Sequence, residues 1–194
     1  QRDGRKPIGI KGKDDTENEV VKQWGEKTEP SFELKSHGAL VEELELANFE
    51  DASKVSGNGF YYLFNELALL EMALQRFAIE KLMKKEYMLT QVPLMIRRKQ
   101  YEGVTDLGDF ETMMYKIEDE DLYLIATSEH SIGAMMLDTV IDEKKLPLKY
   151  LGVSPCFRKE IGSHGVDEKG LFRVHQFNKI EQFIFCKPED SWQM

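Results

Sequence analysis

Cysteine is scarce in this sequence. Only Cys156 and Cys186 occur, and they form no CxxC pair, so no disulfide framework is read from them. Four scattered histidines add no zinc-ligand spacing. Each cysteine lies in an apolar, strand-like run, the setting of a buried free thiol. Long apolar runs are missing too. A stretch such as Leu67–Leu70 is far too short to cross a bilayer, and the start carries no charged, then apolar, then small-residue signal. The expectation is a cytoplasmic protein with no membrane partner. Positive charge is the minority: 26 Lys and Arg face 35 Asp and Glu, for a net charge of −9. A chain that grips a phosphate backbone by itself usually shows a basic stripe, and none is present. Any nucleic acid is therefore expected to be gripped outside this chain.

What is present suits one globular domain: 194 residues, 41% hydrophobic and 31% charged. Both ends look cut. The chain starts at Gln1 inside a polar segment and stops at Met194, just after Pro188-Glu189-Asp190-Ser191-Trp192, which reads as the acidic first turn of a helix. Residues 1–30 read as a linker or extended lead-in, and residues 31–194 as the folded unit. A short helix is expected between Pro30 and Phe49 with Leu40, Leu44 and Phe49 inward. A Gly57-Asn58-Gly59 turn leads to an aromatic strand, Phe60–Phe64. The strongest helical pattern runs over 65–85, where Leu67, Leu70, Leu74, Phe77, Ala78 and Leu82 follow i, i+3, i+4, i+7 spacing. Tyr87–Val92 reads as a strand ended by Pro93, and 97–120 as a polar excursion over the surface. Leu122–Thr127 is a further strand, followed by an amphipathic helix near 130–145 carrying Ile132, Met135, Met136 and Val140. Two long strands, about 148–160 and 171–186, form a hairpin whose tip holds three glycines.

Strand alternation assigns chemistry to one face of that hairpin. Arg158 and Glu160 share a face, as do Arg173, His175, Phe177, Lys179 and Glu181; Phe172, Val174, Ile180 and Ile184 take the opposite, core face. Such a surface can clamp phosphates with guanidinium groups, stack a base on Phe177 and hold an ammonium with a carboxylate. Each piece alone has a plainer use. An Arg-x-Glu on a strand is usually a solvated ion pair, Phe177 and His175 suit a core, and Ser128 or Ser131 could cap the following helix.

Taken together the pieces resemble a known family. Phe157-Arg158-Lys159-Glu160 is similar to the F-R-x-E of motif 2 in class II aminoacyl-tRNA synthetases. The run Gly170 to Glu181 (GLFRVHQFNKIE) resembles the returning strand of that motif in seryl-tRNA synthetases. Thr127-Ser128-Glu129 resembles the family's serine-binding T-x-E, and 65–93 its motif 1, which builds the dimer interface. Asp14-Asp15-Thr16-Glu17-Asn18 with Trp24-Gly25 resembles the junction to a tRNA-binding arm. The pieces occur in family order along almost the whole chain.

The resemblance implies an α+β fold, an antiparallel sheet flanked by helices, as part of a class II catalytic domain with motif 2 at about 150–186. It implies ATP-dependent activation of serine to seryl-adenylate and transfer to tRNA(Ser), in a homodimer using ATP and Mg2+. Arg158 would contact the α-phosphate and act in catalysis; Glu160, Arg173, Val174 and Phe177 would complete the ATP site. Thr127, Glu129 and Glu181 would bind serine. Motif 3, with its arginine and the main magnesium carboxylate, is expected beyond Met194, and the arm before Gln1. Two alternatives stay open: a related ligase loading an amino acid on a carrier protein, and a non-catalytic paralogue that binds or dimerises. The junction-like 14–25 and the absent zinc-type cysteine pattern speak against the first. The intact Arg158, Glu160, Arg173 and Glu181 speak against the second. Threonyl and prolyl members lack the run from Arg173 to Glu181 in this form.

Overall fold

The computed structural model describes Thr16, Val20 and residues 22–160 and 170–194. In chain order the elements are α1 (His37–Glu43), β1 (Ala47–Asn48), α2 (Phe49–Ser56), β2 (Tyr62–Leu63), α3 (Asn65–Met83), β3 (Met88–Gln91), β4 (Met95–Ile96), α4 (Arg98–Glu102), α5 (Leu107–Phe110), β5 (Tyr123–Leu124), α6 (Ser128–Met135), β6 (Leu148–Phe157) and β7 (Gln176–Phe185). Local chemistry explains many of the boundaries. Ser36 caps α1 by accepting the Ala39 N–H at 3.2 Å, and Asn48 caps α2 through the Asp51 N–H at 2.8 Å. The long α3 is built from strong helix formers without an internal Gly or Pro.

Three strands form the central sheet in the order β3-β6-β7. β6 and β7 are antiparallel over their full length, from Leu148 opposite Phe185 to Phe157 opposite Gln176. β3 lies parallel to β6, with Leu89 opposite Leu151. The α+β class therefore holds, with one parallel pair in an otherwise antiparallel arrangement. The two faces take different helices. Asn178 on one face of β7 donates to Glu71 of α3 at 2.9 Å. On the other face Gly152 meets Ser128 and Ile132 of α6, and Phe183 lies near Gly133.

Residues 97–120 are not the surface excursion that their polarity suggests. They fold into α4, α5 and a 3-10 turn, Glu111–Met113. Tyr101, Leu107 and Met114 are buried there in one cluster with Ile96, Tyr123, Ile125 and Ala126. Arg98 ties the segment down through Glu102, Glu111 and the Tyr123 hydroxyl. Polar residues here face outward around three buried anchors, a spacing too irregular to show as a period.

Other expectations change as well. The short helix expected between Pro30 and Phe49 is α1, and a second helix, α2, follows β1 from Phe49. Leu40 and Leu44 are exposed while Val41 is buried. The helix expected near 130–145 ends at Met135, leaving Val140 exposed. Cys156 is fully buried, whereas Cys186, past the end of β7, is only half-buried. The expected junction at 14–18, apart from Thr16, and most of the hairpin tip lie outside the described residues.

Candidate active site

The site forms where the N-terminus of α6 meets the face of the β6–β7 hairpin. Pairing places Gly152 opposite Glu181, Ser154 opposite Lys179 and Cys156 opposite Phe177. Alternation then puts all six on one face. Gly152 is required for this approach. A Cβ there would lie 2.4 Å from Ser128 Oγ and 2.8 Å from Ser128 Cβ, so any side chain would lift α6 off the strand.

Thr127, not Ser128 or Ser131, caps α6, its hydroxyl accepting the Glu129 N–H at 3.3 Å. Ser128 is buried as the first helical residue, and Ser131 instead donates to the Pro93 carbonyl at 2.9 Å. Thr127 Oγ1 also donates to Glu181 Oε2 at 3.2 Å and accepts from Lys179 Nζ at 3.0 Å. A hydroxyl offers one donor and two acceptor sites, so Thr127 is fully used. Lys179 and Glu181 form an ion pair beside it. Cap and polar cluster are thus one object.

Arg158 follows directly after β6. Its Nε donates to the Ala126 carbonyl at 3.2 Å, and its guanidinium lies 5.2 Å from the centre of the Phe177 ring, a cation–π contact. Its backbone N–H donates to the His175 carbonyl, and His175 Nδ1 sits 2.7 Å from the Arg158 carbonyl. His175 is therefore a clip between the hairpin strands. Its amide also donates to Gly59, which has a φ of +82° and no room for a Cβ against the His175 ring.

The structure splits the expected site into two groups. Arg158, Phe177, Thr127 and Glu181 come together. Glu160 and Arg173 pair with each other at 3.0 Å, because β6 ends at Phe157, β7 begins at Gln176, and Glu160 takes a φ of +47° that breaks the alternation. For the same reason the expected core face does not extend to Phe172, which is exposed and rests on His37 with ring centres 4.1 Å apart. Val174 is buried; Ile180 and Ile184 are half-buried. Glu129 is exposed and joins the cluster through its backbone N–H alone among the hydrogen bonds described.

Three participants had no role assigned from the sequence. Lys179 stood on the right face but its contact with Thr127 needed the fold. Tyr101, fully buried, accepts the Ala126 N–H at 3.2 Å and lies 2.9 Å from His130 Nδ1. It thereby holds the N–H side of Ala126, the residue whose carbonyl accepts from Arg158. Burial pushes the Tyr101 hydroxyl up to about 12. Burial, followed by the nearby Arg158 and Lys179 charges, pulls His130 down to about 4. His130 is consequently a neutral imidazole near pH 7. No sequence signal marked Tyr101, which lies in the polar stretch.

The site thus sets an arginine over an aromatic ring on the sheet hairpin opposite a threonine-capped helix and a half-buried acid. Residues 114–194 match the tRNA synthetase class II core domain (G, H, P, S and T). The chain is 61% identical over 183 residues to a serine–tRNA ligase of Methanocella arvoryzae, covering 94% of this chain and 43% of that protein. Its fold matches seryl-tRNA synthetase from Pyrococcus horikoshii complexed with ATP, with a TM-score of 0.81, 51% identity and coverage of 84% of this chain and 37% of that one. A cytoplasmic serine–tRNA ligase of Naegleria fowleri in complex with AMP gives a TM-score of 0.77 at 44% identity, covering 81% of this chain and 38% of that one. The chain belongs to the seryl-tRNA synthetase family. It spans 43% of the length of the curated relatives.

Proposed function

We propose that this chain carries the serine-activating site of a serine–tRNA ligase, which joins serine to ATP as seryl-adenylate and then transfers it to tRNA(Ser). One observation carries it: the Thr127–Lys179–Glu181 cluster stands on the same sheet face as Arg158 and Phe177. A small, polar amino acid offers little apolar surface, so its selection depends on hydrogen bonds in a site that penalises a missing partner. Thr127 and Glu181, both largely out of solvent, suit the serine hydroxyl and ammonium; Glu129 is the third serine ligand. Phe177 stacks on adenine and the buried Val174 backbone meets its edge. Arg158 neutralises the α-phosphate as the serine carboxylate attacks it. Arg173 and Glu160 form the outer part of the nucleotide site. No covalent enzyme intermediate is needed, because orientation and charge suffice.

Magnesium is part of the proposed reaction. Among the described residues no cluster of three or more His, Cys, Asp or Glu could hold a metal ion. The homodimer and the cytoplasm are likewise proposed. Support for the dimer is the apolar side of α3, where Leu70, Leu74 and Phe77 are exposed. No described helix is long and apolar enough to cross a membrane. Residues 1–30 are proposed as the lead-in from a tRNA-binding arm, and 31–194 as part of the catalytic domain.

The test is amino-acid-dependent exchange of pyrophosphate into ATP by the full-length enzyme, meaning this chain within the length its relatives span. Serine should drive exchange far better than threonine or alanine. Equal exchange with threonine removes the serine assignment and leaves class II activation standing.

A further inference from the structure

Lys179 occupies the space in which a substrate ammonium would have to sit. Its Nζ donates to Thr127 Oγ1 at 3.0 Å and pairs with Glu181 Oε2. These are the two side chains proposed above for the serine hydroxyl and ammonium. The Thr127 hydroxyl has no site left, since the Glu129 N–H and Lys179 donate to it while it donates to Glu181. Glu181 keeps only 18% of its side-chain surface and Lys179 only 30%. A second cation cannot join one negative charge there without leaving positive charge uncompensated and partly desolvated.

We propose that Lys179 is a specificity-determining residue that acts by exchange. In the free site it neutralises Glu181. When the amino acid arrives, its ammonium takes over Glu181 and Thr127, and Lys179 turns to the substrate carboxylate. Lys179 is suited to this: its charge sits on a flexible four-carbon stem with three donors, and part of it is open to solvent. The exchange rests on the serine-activation reading and deepens it. One internal ion pair opens and two new ones form, so charge stays balanced only if the ligand is a zwitterion. An amino alcohol lacking the carboxylate strands Lys179 without a partner. A hydroxy acid lacking the ammonium cannot release Lys179 from Glu181. The site thus selects the whole zwitterion, and the carboxylate is drawn to the hairpin face on which Arg158 lies over Phe177.

The test is calorimetric titration of the full-length enzyme with serine and with ethanolamine, which keeps the ammonium and hydroxyl and lacks the carboxylate. Wild type should prefer serine strongly. In Lys179→Met, serine should weaken and ethanolamine tighten, shrinking the ratio of their dissociation constants by about tenfold or more. Lys179→Arg should largely keep the ratio. A purely structural lysine would weaken both ligands in parallel. Parallel weakening, or an unchanged ratio, overturns the exchange. If Lys179→Met fails to fold, Lys179→Gln gives the same comparison with a polar side chain. Wild type that does not favour serine over threonine or alanine overturns the serine assignment on which the exchange rests. Serine preference with an unmoved ethanolamine ratio overturns only the exchange.

Discussion

α3 and α6 are opposite kinds of helix. α3 runs for 19 residues with apolar residues recurring at helical spacing, yet none of its residues is buried, and Leu69, Leu70, Met72, Leu74 and Phe77 are all exposed. α6 has only eight residues, but Ser128 and Ile132 are buried and its cap is the centre of the candidate site. Regular spacing reports that a helix has an apolar side. It does not report whether this chain is what covers that side. A row of exposed leucines and a phenylalanine is more than scattered surface hydrophobicity and fits an interface. The short helix owes its fixed place to contacts distant in sequence, above all the close approach to Gly152.

The contrast can be tested by substitutions in the full-length enzyme. The largest effect belongs at the α6 end of the molecule. Arg158→Ala should lower the turnover of serine-dependent pyrophosphate exchange by roughly a hundred- to a thousandfold while leaving the circular dichroism spectrum intact. The loss should fall on kcat more than on the serine KM; near-normal turnover would remove Arg158 from the chemistry. Next, Ile132→Ala empties a fully buried position and should cost about 2–5 kcal/mol in denaturant unfolding. A cost below half of that would show that α6 is less firmly seated than its burial implies.

Gly152→Ala should cost about 1–3 kcal/mol, because a methyl group at 2.4 Å from Ser128 Oγ displaces α6 or the strand. Activity should fall with it, since Thr127 moves with the helix; a neutral result would mean the contact relaxes freely. A smaller effect is expected with pH. His130 is depressed from 6.5 to about 4 in the fold, so below pH 6.5 the unfolded chain takes up the proton first. Stability should therefore fall as pH drops from about 6.5 toward about 4. Thermal unfolding of His130→Gln should lose part of that slope, and an identical slope in both proteins would refute it. The smallest effect is on α3: Leu74→Ala should change the stability of the separated protomer by no more than about 0.5 kcal/mol. Sedimentation should instead report weaker association. A cost equal to that of Ile132→Ala in a monomer would erase the contrast.

The F-R-x-E, T-x-E and returning-strand residues were legible because each is a short, ordered string whose chemistry survives without coordinates. The hairpin was legible too, since its alternation is long, and it correctly grouped Phe177, Lys179 and Glu181. Alternation misled only where the strand had already ended, at Glu160, Arg173 and Phe172. The buried 97–120 segment was misread because its three anchors, Tyr101, Leu107 and Met114, are spaced too irregularly to form a period.

By itself the sequence determined the family, the existence and type of the long helix and the hairpin, and which side chains share the hairpin face from Phe177 to Glu181. These follow from local spacing and residue chemistry, which are properties of neighbours along the chain. Only the tertiary structure decided that β3 runs parallel to β6 and that Glu160 pairs with Arg173 rather than standing beside Arg158. It also decided that Tyr101 accepts the Ala126 N–H and that Lys179 sits between Thr127 and Glu181. The physical reason is sequence separation. The Thr127–Lys179 contact joins residues 52 positions apart and the Thr127–Glu181 contact 54, and no local preference encodes which distant partner a buried hydroxyl will find.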